Sequence, residues 1–115
     1  MSDIKNLQEK IAQFVEERDW RQFHNPKDLA ISLNLEAAEV LELFQWKGPE
    51  EIEKYLKSHK ENVEDELADV LYWVLLMADN LGIDVVAASE TKLKKNAAKY
   101  PVHKAAGNHK KYTEL

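Results

Sequence analysis

The chain has 115 residues, of which 44% are apolar and 32% are charged, and its formal net charge at pH 7 is −5. This length and balance predict one soluble folded domain, residues 1–115, rather than a disordered or membrane-spanning chain. The acidic balance disfavours a nucleic-acid polymer as partner, because affinity for a duplex comes mostly from Lys and Arg at its phosphates. A free nucleotide is still a plausible partner, since one metal ion and a few lysines suffice to neutralise it.

Cysteine is absent, which excludes disulfides, a thiolate zinc site and a cysteine nucleophile. The N-terminal residues lack the basic-then-apolar pattern of a signal peptide, and no apolar run reaches the ~18 residues of a membrane span. We therefore expect a cytoplasmic protein without a membrane partner.

The hydrophobic spacing predicts an all-α helical bundle of four to five helices. Only three glycines and three prolines interrupt the chain, and apolar residues recur every three or four positions, as on one face of a helix. The predicted helices span about residues 2–19, 26–46, 49–57, 60–81 and 84–99. Ser2 or Asp3 is expected to cap the first helix, and Asn25 with Pro26 marks the start of the second. Residues 101–115 show no periodicity and are predicted to be an irregular tail.

The helix predicted over residues 60–81 is apolar around much of its circumference. In so small a chain such a helix needs neighbours on several sides. Homo-oligomerisation is the direct way to supply them, so we expect the bundle to be completed by other copies of the chain.

Two pairs of carboxylates are the main candidate site. Glu36 and Glu39 lie three residues apart on one predicted helix, and Glu66 and Asp69 lie three apart on another, so each pair points off one helix face. Both pairs sit among apolar residues, where unpaired ionised groups are costly, and a cation resolves that cost. Oxygen ligands favour a hard cation, and Mg²⁺ is the one expected with phosphates.

Two other interpretations of the carboxylates remain open. They could be solvated on amphipathic helices, in which case the chain is a non-catalytic acidic helical oligomerisation or interaction module. A di-iron carboxylate bundle also uses paired acids, but it requires Glu-x-x-His on two helices, and no histidine falls in either pair.

Two further segments carry candidate binding residues, each with a structural alternative. The loop predicted over residues 20–25 contains Trp20, Phe23 and His24, which could plug the bundle end or form an aromatic wall for a nucleobase. The last predicted helix carries the main cationic cluster, which could equally serve the helix dipole. The members of that cluster are Lys92, Lys94, Lys95 and Lys99, with Asn96 among them.

The ordered set of motifs resembles the MazG-like, all-α nucleoside triphosphate pyrophosphohydrolases, and is most similar to their dCTP pyrophosphatase branch. The resemblance covers about residues 10–115. Its carriers are Glu36-x-x-Glu39 and Glu66-x-x-Asp69, Arg18-Asp19-Trp20-x-Gln22-Phe23-His24-x-Pro26, Glu39-x-x-Glu42-Leu43-Phe44-Gln45-Trp46-Lys47, Lys92-x-x-x-Asn96 with Tyr100-Pro101, and Lys111-Tyr112-Thr113-Glu114-Leu115.

The resemblance implies Mg²⁺-dependent hydrolysis between the α- and β-phosphates of a nucleoside triphosphate, dCTP or a modified dCTP, to a monophosphate and pyrophosphate. It implies a homotetramer built from tight dimers and a role in nucleotide pool sanitation. It also implies roles for single residues: magnesium ligands at Glu36, Glu39, Glu66 and Asp69, base and sugar contacts at Trp20, His24 and Trp46, and phosphate contacts at Lys92 and Asn96. Glu39 is our hypothesis for the catalytic base, although residue type does not separate ligand from base among four acids.

Two positions depart from the family pattern. Leu35 stands where a glutamate often opens the first motif. Trp73, next to Tyr72, stands where a tyrosine is expected four residues after Asp69, so we include Trp73 among the candidate substrate-binding residues.

Overall fold

The computed structural model describes residues 3–115, so the suggested cap at Ser2 lies outside the described residues. It contains six α-helices and two 3-10 turns, with no strand in this range. The α-helices are α1 Asp3–Glu17, α2 Pro26–Phe44, α3 Pro49–Ser58, α4 Lys60–Asn80, α5 Val85–Lys99 and α6 Val102–Ala105, and the 3-10 turns are Arg21–Phe23 and Tyr112–Glu114. The prediction of an all-α fold is confirmed. That all 115 residues act as one domain stays a prediction.

Two compact units make up the chain, residues 1–82 and 83–115. In the first unit, α2 packs mainly against α4, while α1 and α3 make smaller contacts with α4. The second unit contains α5 and the segment after it. Within the predicted irregular tail, the structure has the short helix α6 and the last 3-10 turn.

The core of the first unit is small and aliphatic. Val15 of α1, Leu29 of α2, and Leu75 and Leu76 of α4 are at most 1% exposed. Burying such side chains stabilises the fold by roughly 1.5–3 kcal/mol each. The buried residues lie near one end of α2 and in the C-terminal half of α4. The middle of α2 and the N-terminal half of α4 therefore contribute no fully buried side chain to this core.

Two helices end before the residues that periodicity suggested. The first was expected to reach about Asp19 and the second Trp46, but they end at Glu17 and Phe44. Asp19 and Trp46 have positive φ angles of 54° and 71°, a left-handed conformation that cannot continue a right-handed helix. Apolar spacing does not report this backbone reversal.

Among residues 3–115, no single helix has both the length and the hydropathy of a membrane span, although α4 and α5 taken together meet that test by length and composition.

Candidate active site

The N-terminus of α2 sets the register of the first carboxylate pair. The Asn25 side chain accepts a hydrogen bond from the Asp28 backbone N–H at 2.9 Å and donates one to the Asp28 carboxylate at 2.7 Å. Pro26 occupies the first helical position, where no backbone donor is needed. With the helix start fixed, Glu36 and Glu39 follow one turn apart on α2, as predicted.

The four predicted metal ligands come together between α2 and α4. Glu36, Glu39, Glu66 and Asp69 each offer one oxygen atom, and these four oxygens all lie within 4.8 Å of one another. Glu36 and Glu66 are half-buried, whereas Glu39 and Asp69 are exposed. Glu36 and Glu66 are thus held within the contact between α2 and α4, and Glu39 and Asp69 open to solvent. This geometry suits a cation that is bound by protein oxygens on one side and by water or substrate on the other.

Two oxygens of the cluster are buried without a hydrogen-bond partner, Oε2 of Glu36 and Oε2 of Glu66. A buried carboxylate oxygen without a partner is destabilising, and a metal ion is one of the few groups that satisfies several such oxygens together. The donor set therefore fits a hard divalent cation. We refer to these four residues as the carboxylate cluster.

Contacts within the carboxylate cluster and burial raise the pKa of two of its members, Glu66 and Glu36. A hydrogen bond shared with Glu39 is the largest cause that raises the pKa of Glu66 to about 7, followed by burial and the charges of Glu39, Asp69 and Glu36. Burial is the main cause that raises the pKa of Glu36, with Glu39 next. Without a cation the cluster retains a proton near neutral pH, and a cation competes for that position.

A cavity of about 440 Å³ in the first unit adjoins the carboxylate cluster. Glu36 and Asp69 form part of its wall, and the rest is mostly aromatic. The complete lining is Lys10, Ile11, Phe14, Trp20, Glu36, Asp69, Tyr72 and Trp73. A space with carboxylates on one side and aromatic rings on the other suits a ligand with a charged end and a flat end.

A second cavity of about 400 Å³ lies beside the first. Its lining is Trp20, Phe23, His24, Asp28, Leu29, Ser32 and Trp73. Trp20 and Trp73 line both cavities and form the partition between them. The structure therefore places three of the predicted substrate-binding residues, Trp20, His24 and Trp73, around one pair of neighbouring spaces.

Edge-to-face ring contacts fix the aromatic wall. Phe14 lies 5.7 Å from Trp20 and 6.1 Å from Tyr72, and Tyr72 lies 5.0 Å from Trp73, all measured between ring centroids. His24 lies 6.3 Å from Trp73. Such contacts stabilise the observed arrangement of the rings by about 0.5–1.5 kcal/mol each.

His24 presents an unpaired ring nitrogen within this wall. Its Nδ1 atom is buried and has no hydrogen-bond partner among the described residues. Burial, with the charge of Arg21 as a smaller cause, lowers the pKa of His24 from its ordinary value of 6.5. The ring is therefore mostly neutral at pH 7, and its free nitrogen is available to a polar group of a ligand.

Three predicted site residues lie elsewhere. Trp46 is 90% exposed at the end of α2 and lines neither of the two cavities. Lys92 and Asn96 lie one turn apart on α5 in the second unit, Lys92 exposed and Asn96 half-buried. Their assignment to phosphates stays a prediction.

Lys10 and Phe14 were missed as cavity residues from the sequence. Phe14 belongs to the apolar stripe of α1, and a period of 3.6 does not distinguish a core residue from one that lines a cavity. Its exposed fraction of 40% is the feature that separates the two, and only the packing of α1 reveals it.

Comparison with known proteins agrees with this geometry. A family model described as MazG-like matches residues 31–115. The dCTP pyrophosphatase 1 of Bos taurus is 38% identical over 117 residues, spanning 100% of this chain and 68% of that protein. The Homo sapiens protein of the same name is 37% identical, with 100% and 67% covered. A crystal structure of a pyrophosphatase from Archaeoglobus fulgidus superimposes with a TM-score of 0.82 at 37% identity, covering 88% of this chain and 94% of that chain.

The chain therefore belongs to the MazG-like family. Within that family it lies near the dCTP pyrophosphatase branch. Both parts of the resemblance drawn from the motifs are confirmed.

Proposed function

We propose that this protein is a Mg²⁺-dependent nucleoside triphosphate pyrophosphohydrolase that cleaves dCTP or a modified dCTP to the monophosphate and pyrophosphate. Its general class, an enzyme of the nucleotide diphosphatase type, follows from its relatives. The carboxylate cluster is the observation that carries the proposal. It supplies a binding site for a divalent cation next to a cavity large enough for a ligand.

Magnesium is the proposed cation because all four donors are oxygens and the ligand carries phosphates. Glu36, Glu39, Glu66 and Asp69 would hold it. When bound, the ion neutralises phosphate charge and lowers the pKa of a bound water. An imidazole- or thiolate-rich site would favour zinc, copper or iron, and the cluster contains neither ligand type.

Glu39 is the proposed general base. It is the exposed member of the α2 pair, so its carboxylate is accessible to a water molecule bound at the carboxylate cluster. Its interaction with Glu66 is the largest cause that raises the pKa of Glu66, which supports a role for Glu39 in proton transfer within the cluster.

The aromatic partition is the proposed binding surface for the base and sugar. Trp20 and Trp73 offer flat faces, and His24 offers an unpaired ring nitrogen for a polar base edge. Each stacked base is worth about 1–3 kcal/mol. Trp46, Lys92 and Asn96 complete the proposed set, and the two residues of α5 are assigned to phosphates by the family resemblance alone. A role in nucleotide pool sanitation and a cytoplasmic location belong to the same proposal.

The test is product analysis of the purified protein with a panel of canonical and 5-modified deoxynucleoside triphosphates, with and without Mg²⁺. We expect monophosphate and pyrophosphate, formed only with Mg²⁺ and fastest from cytosine nucleotides. Equal rates with nucleotides of other bases would refute the dCTP preference but would not contradict the proposed reaction. Diphosphate with orthophosphate would refute the cleavage point, and no turnover of any triphosphate would refute the proposed function.

A homotetramer is also proposed, and exposed apolar surface on the two central helices supports it. Leu35 and Leu41 of α2 and Leu67 of α4 are 60%, 68% and 54% exposed. Exposed apolar side chains on two packed helices are the kind of surface that an interface between copies of the chain would cover. Sedimentation at micromolar concentration should give four times the chain mass of 13.3 kDa, and a species of one chain mass would contradict the proposal.

A further inference from the structure

The segment that joins α1 to α2, residues 18–25, carries three residues of the cavity walls, and we call it the α1–α2 loop. Trp20 lines both cavities, and Phe23 and His24 line the second. Loops on a protein surface move more readily than the helices that they connect. The shape of both cavities therefore depends on the contacts that hold this loop in place.

Local hydrogen bonds give the α1–α2 loop its turn. The Phe23 backbone N–H donates to the carbonyl oxygen of Trp20 at 3.0 Å. The His24 backbone N–H donates to the carbonyl oxygen of Arg21, also at 3.0 Å. These two bonds join residues of the loop to one another, so they shape the loop but do not attach it to α4.

The Arg21 side chain attaches the loop to its surroundings. Its Nε atom donates a hydrogen bond to Oε1 of Glu16 at 3.2 Å, and its Nη2 atom donates one to Oδ2 of Asp79 at 3.3 Å. Glu16 lies in the last turn of α1, and Asp79 lies in the last turn of α4. A guanidinium group has a fixed fork of donors, which suits two carboxylates at once. One side chain of the loop therefore bridges the C-terminal ends of two helices.

A second contact joins the loop to the same helix. The His24 ring lies edge-on to the Trp73 ring at 6.3 Å between centroids. Trp73 precedes Asp79 by six residues, which is about 9 Å along the α4 axis. Because the Arg21 carbonyl accepts the backbone hydrogen bond of His24, a displacement of Arg21 is passed on to the His24 ring. The loop is thus held against α4 at two separate points.

The bridge made by Arg21 is too exposed to contribute much to the stability of the whole fold. The side chains of Arg21 and Asp79 are 39% and 44% exposed, and water and salt screen ion pairs of that kind. Arg21 also lines neither cavity. A weak contact still matters for a loop, since the free-energy difference between a held loop and a free one is itself small. Its effect is therefore expected on the position of the loop.

We infer that Arg21 is a positioning residue, which bridges Glu16 and Asp79 and thereby holds the α1–α2 loop at the cavity walls. Trp20 and His24 are then in place for the nucleoside end of the ligand. The inference rests on the proposed function and deepens it, because it names a residue that acts on the bound nucleoside through the loop, without a contact of its own.

The first test measures amide hydrogen exchange by NMR in the absence of ligand. Arg21→Gln removes the charge and keeps a polar side chain. We expect it to speed exchange of the Phe23 and His24 amides about fivefold, which corresponds to the upper end of the range for exposed ion pairs. The Leu29 amide, which belongs to α2 and donates to the Asn25 carbonyl, should keep the parent rate.

The second test compares the dissociation constants of two ligands in the presence of Mg²⁺, measured by calorimetry. One is an α,β-methylene analogue of dCTP, which is not hydrolysed, and the other is pyrophosphate, which has no nucleoside. Arg21→Gln should weaken the dCTP analogue about fivefold and leave pyrophosphate unchanged. Asp79→Asn breaks the same bridge from α4 and should weaken the analogue by a similar factor. The two substitutions change the net charge in opposite directions, so a similar loss in both is not an effect of the overall field of the protein.

Lys57→Gln is the matched control for Arg21→Gln. Lys57 forms an exposed ion pair with Glu53 on α3 at 3.6 Å and lines neither cavity, and its replacement also removes one positive charge. This variant should keep the parent exchange rates and affinities. Adding Asp79→Asn to Arg21→Gln should cause no further loss, because both substitutions act on one contact.

Four results would overturn the inference. Unchanged exchange of the Phe23 and His24 amides in Arg21→Gln would show that the bridge does not hold the loop. Unchanged affinity of that variant for the analogue would show that the loop position does not affect the ligand. Equal weakening of the analogue and pyrophosphate would make Arg21 a general charge for phosphates, and additive losses in the double variant would separate it from Asp79. A parent protein that binds neither ligand refutes the proposed function instead, and the exchange rates then decide whether Arg21 holds the loop.

Discussion

Replacing Asp69 with Asn is expected to lower kcat/KM for the triphosphate by about 10³-fold, which corresponds to about 4 kcal/mol of transition-state stabilisation. The substitution keeps the shape of the side chain and removes one negative charge from the carboxylate cluster. Asp69 is the exposed member of the α4 pair and also lines the larger cavity. It therefore faces both the proposed metal and the ligand. Steady-state kinetics over a range of Mg²⁺ concentrations is the measurement.

Asp65→Asn is the control for this change. Asp65 lies one turn earlier on the same helix, is exposed and is outside the carboxylate cluster. The two variants share the chemistry of the substitution and the change in net charge, so a difference between them reports the cluster itself. Asp65→Asn should keep the parent kinetics.

The concentration of Mg²⁺ at half-maximal activity separates a ligand from a residue that only holds the fold. For Asp69→Asn it should rise by at least tenfold, in the range seen when metal sites lose a supporting contact. A large loss of activity with an unchanged Mg²⁺ requirement would assign Asp69 to the substrate. Normal activity would contradict the metal assignment of the whole cluster.

The central part of this site was predictable because it depends on short-range geometry. A spacing of three residues on a helix places two carboxylates on one face whatever the rest of the chain does, and Asn25-Pro26 fixes where α2 begins. Acids that lie among apolar residues must be satisfied by a partner, so the pairing of α2 with α4 was the natural arrangement for both pairs. The fold class followed in the same way from apolar spacing.

The parts that were missed depend on packing or on backbone conformation. Lys10 and Phe14 belong to α1, and nothing in the spacing of that helix indicates that its stripe ends at a cavity. The sequence does not indicate the left-handed turn at Trp46 either. Gly48 and Pro49, which begin two residues further on, are the residues that predict the end of the helix. The strain at Trp46 and its exposure appear only in three dimensions.

Metal-free protein should lose thermal stability as the pH rises from about 5 to about 8, and Mg²⁺ should restore it. The free Glu66 carboxyl has an ordinary pKa of 4.5, and in the folded chain it is raised to about 7. Between these two values the folded state holds a proton that the unfolded chain has released, so the folded state binds more protons and its stability falls with increasing pH. This contribution is fully present below the unfolded pKa and is lost as the pH passes through about 7. Glu36, whose pKa is also raised, acts in the same direction.

The measurement is Tm against pH, with a chelator and with saturating Mg²⁺, for the parent, Glu66→Gln and the control Asp65→Asn. Glu66→Gln removes the titrating group and much of the repulsion, so its metal-free Tm at pH 8 should exceed that of the parent while its gain from Mg²⁺ should shrink. Asp65→Asn should follow the parent in both series. A lower Tm for Glu66→Gln than for the parent, in chelator at pH 8, would mean that the Glu66 carboxylate stabilises the metal-free fold. That result would refute the proposed repulsion within the carboxylate cluster. The opposite signs expected for metal-free stability and for the gain from Mg²⁺ express one cause: four oxygens within 4.8 Å repel one another until a cation lies between them, so the arrangement that costs the fold stability is the one that binds the metal.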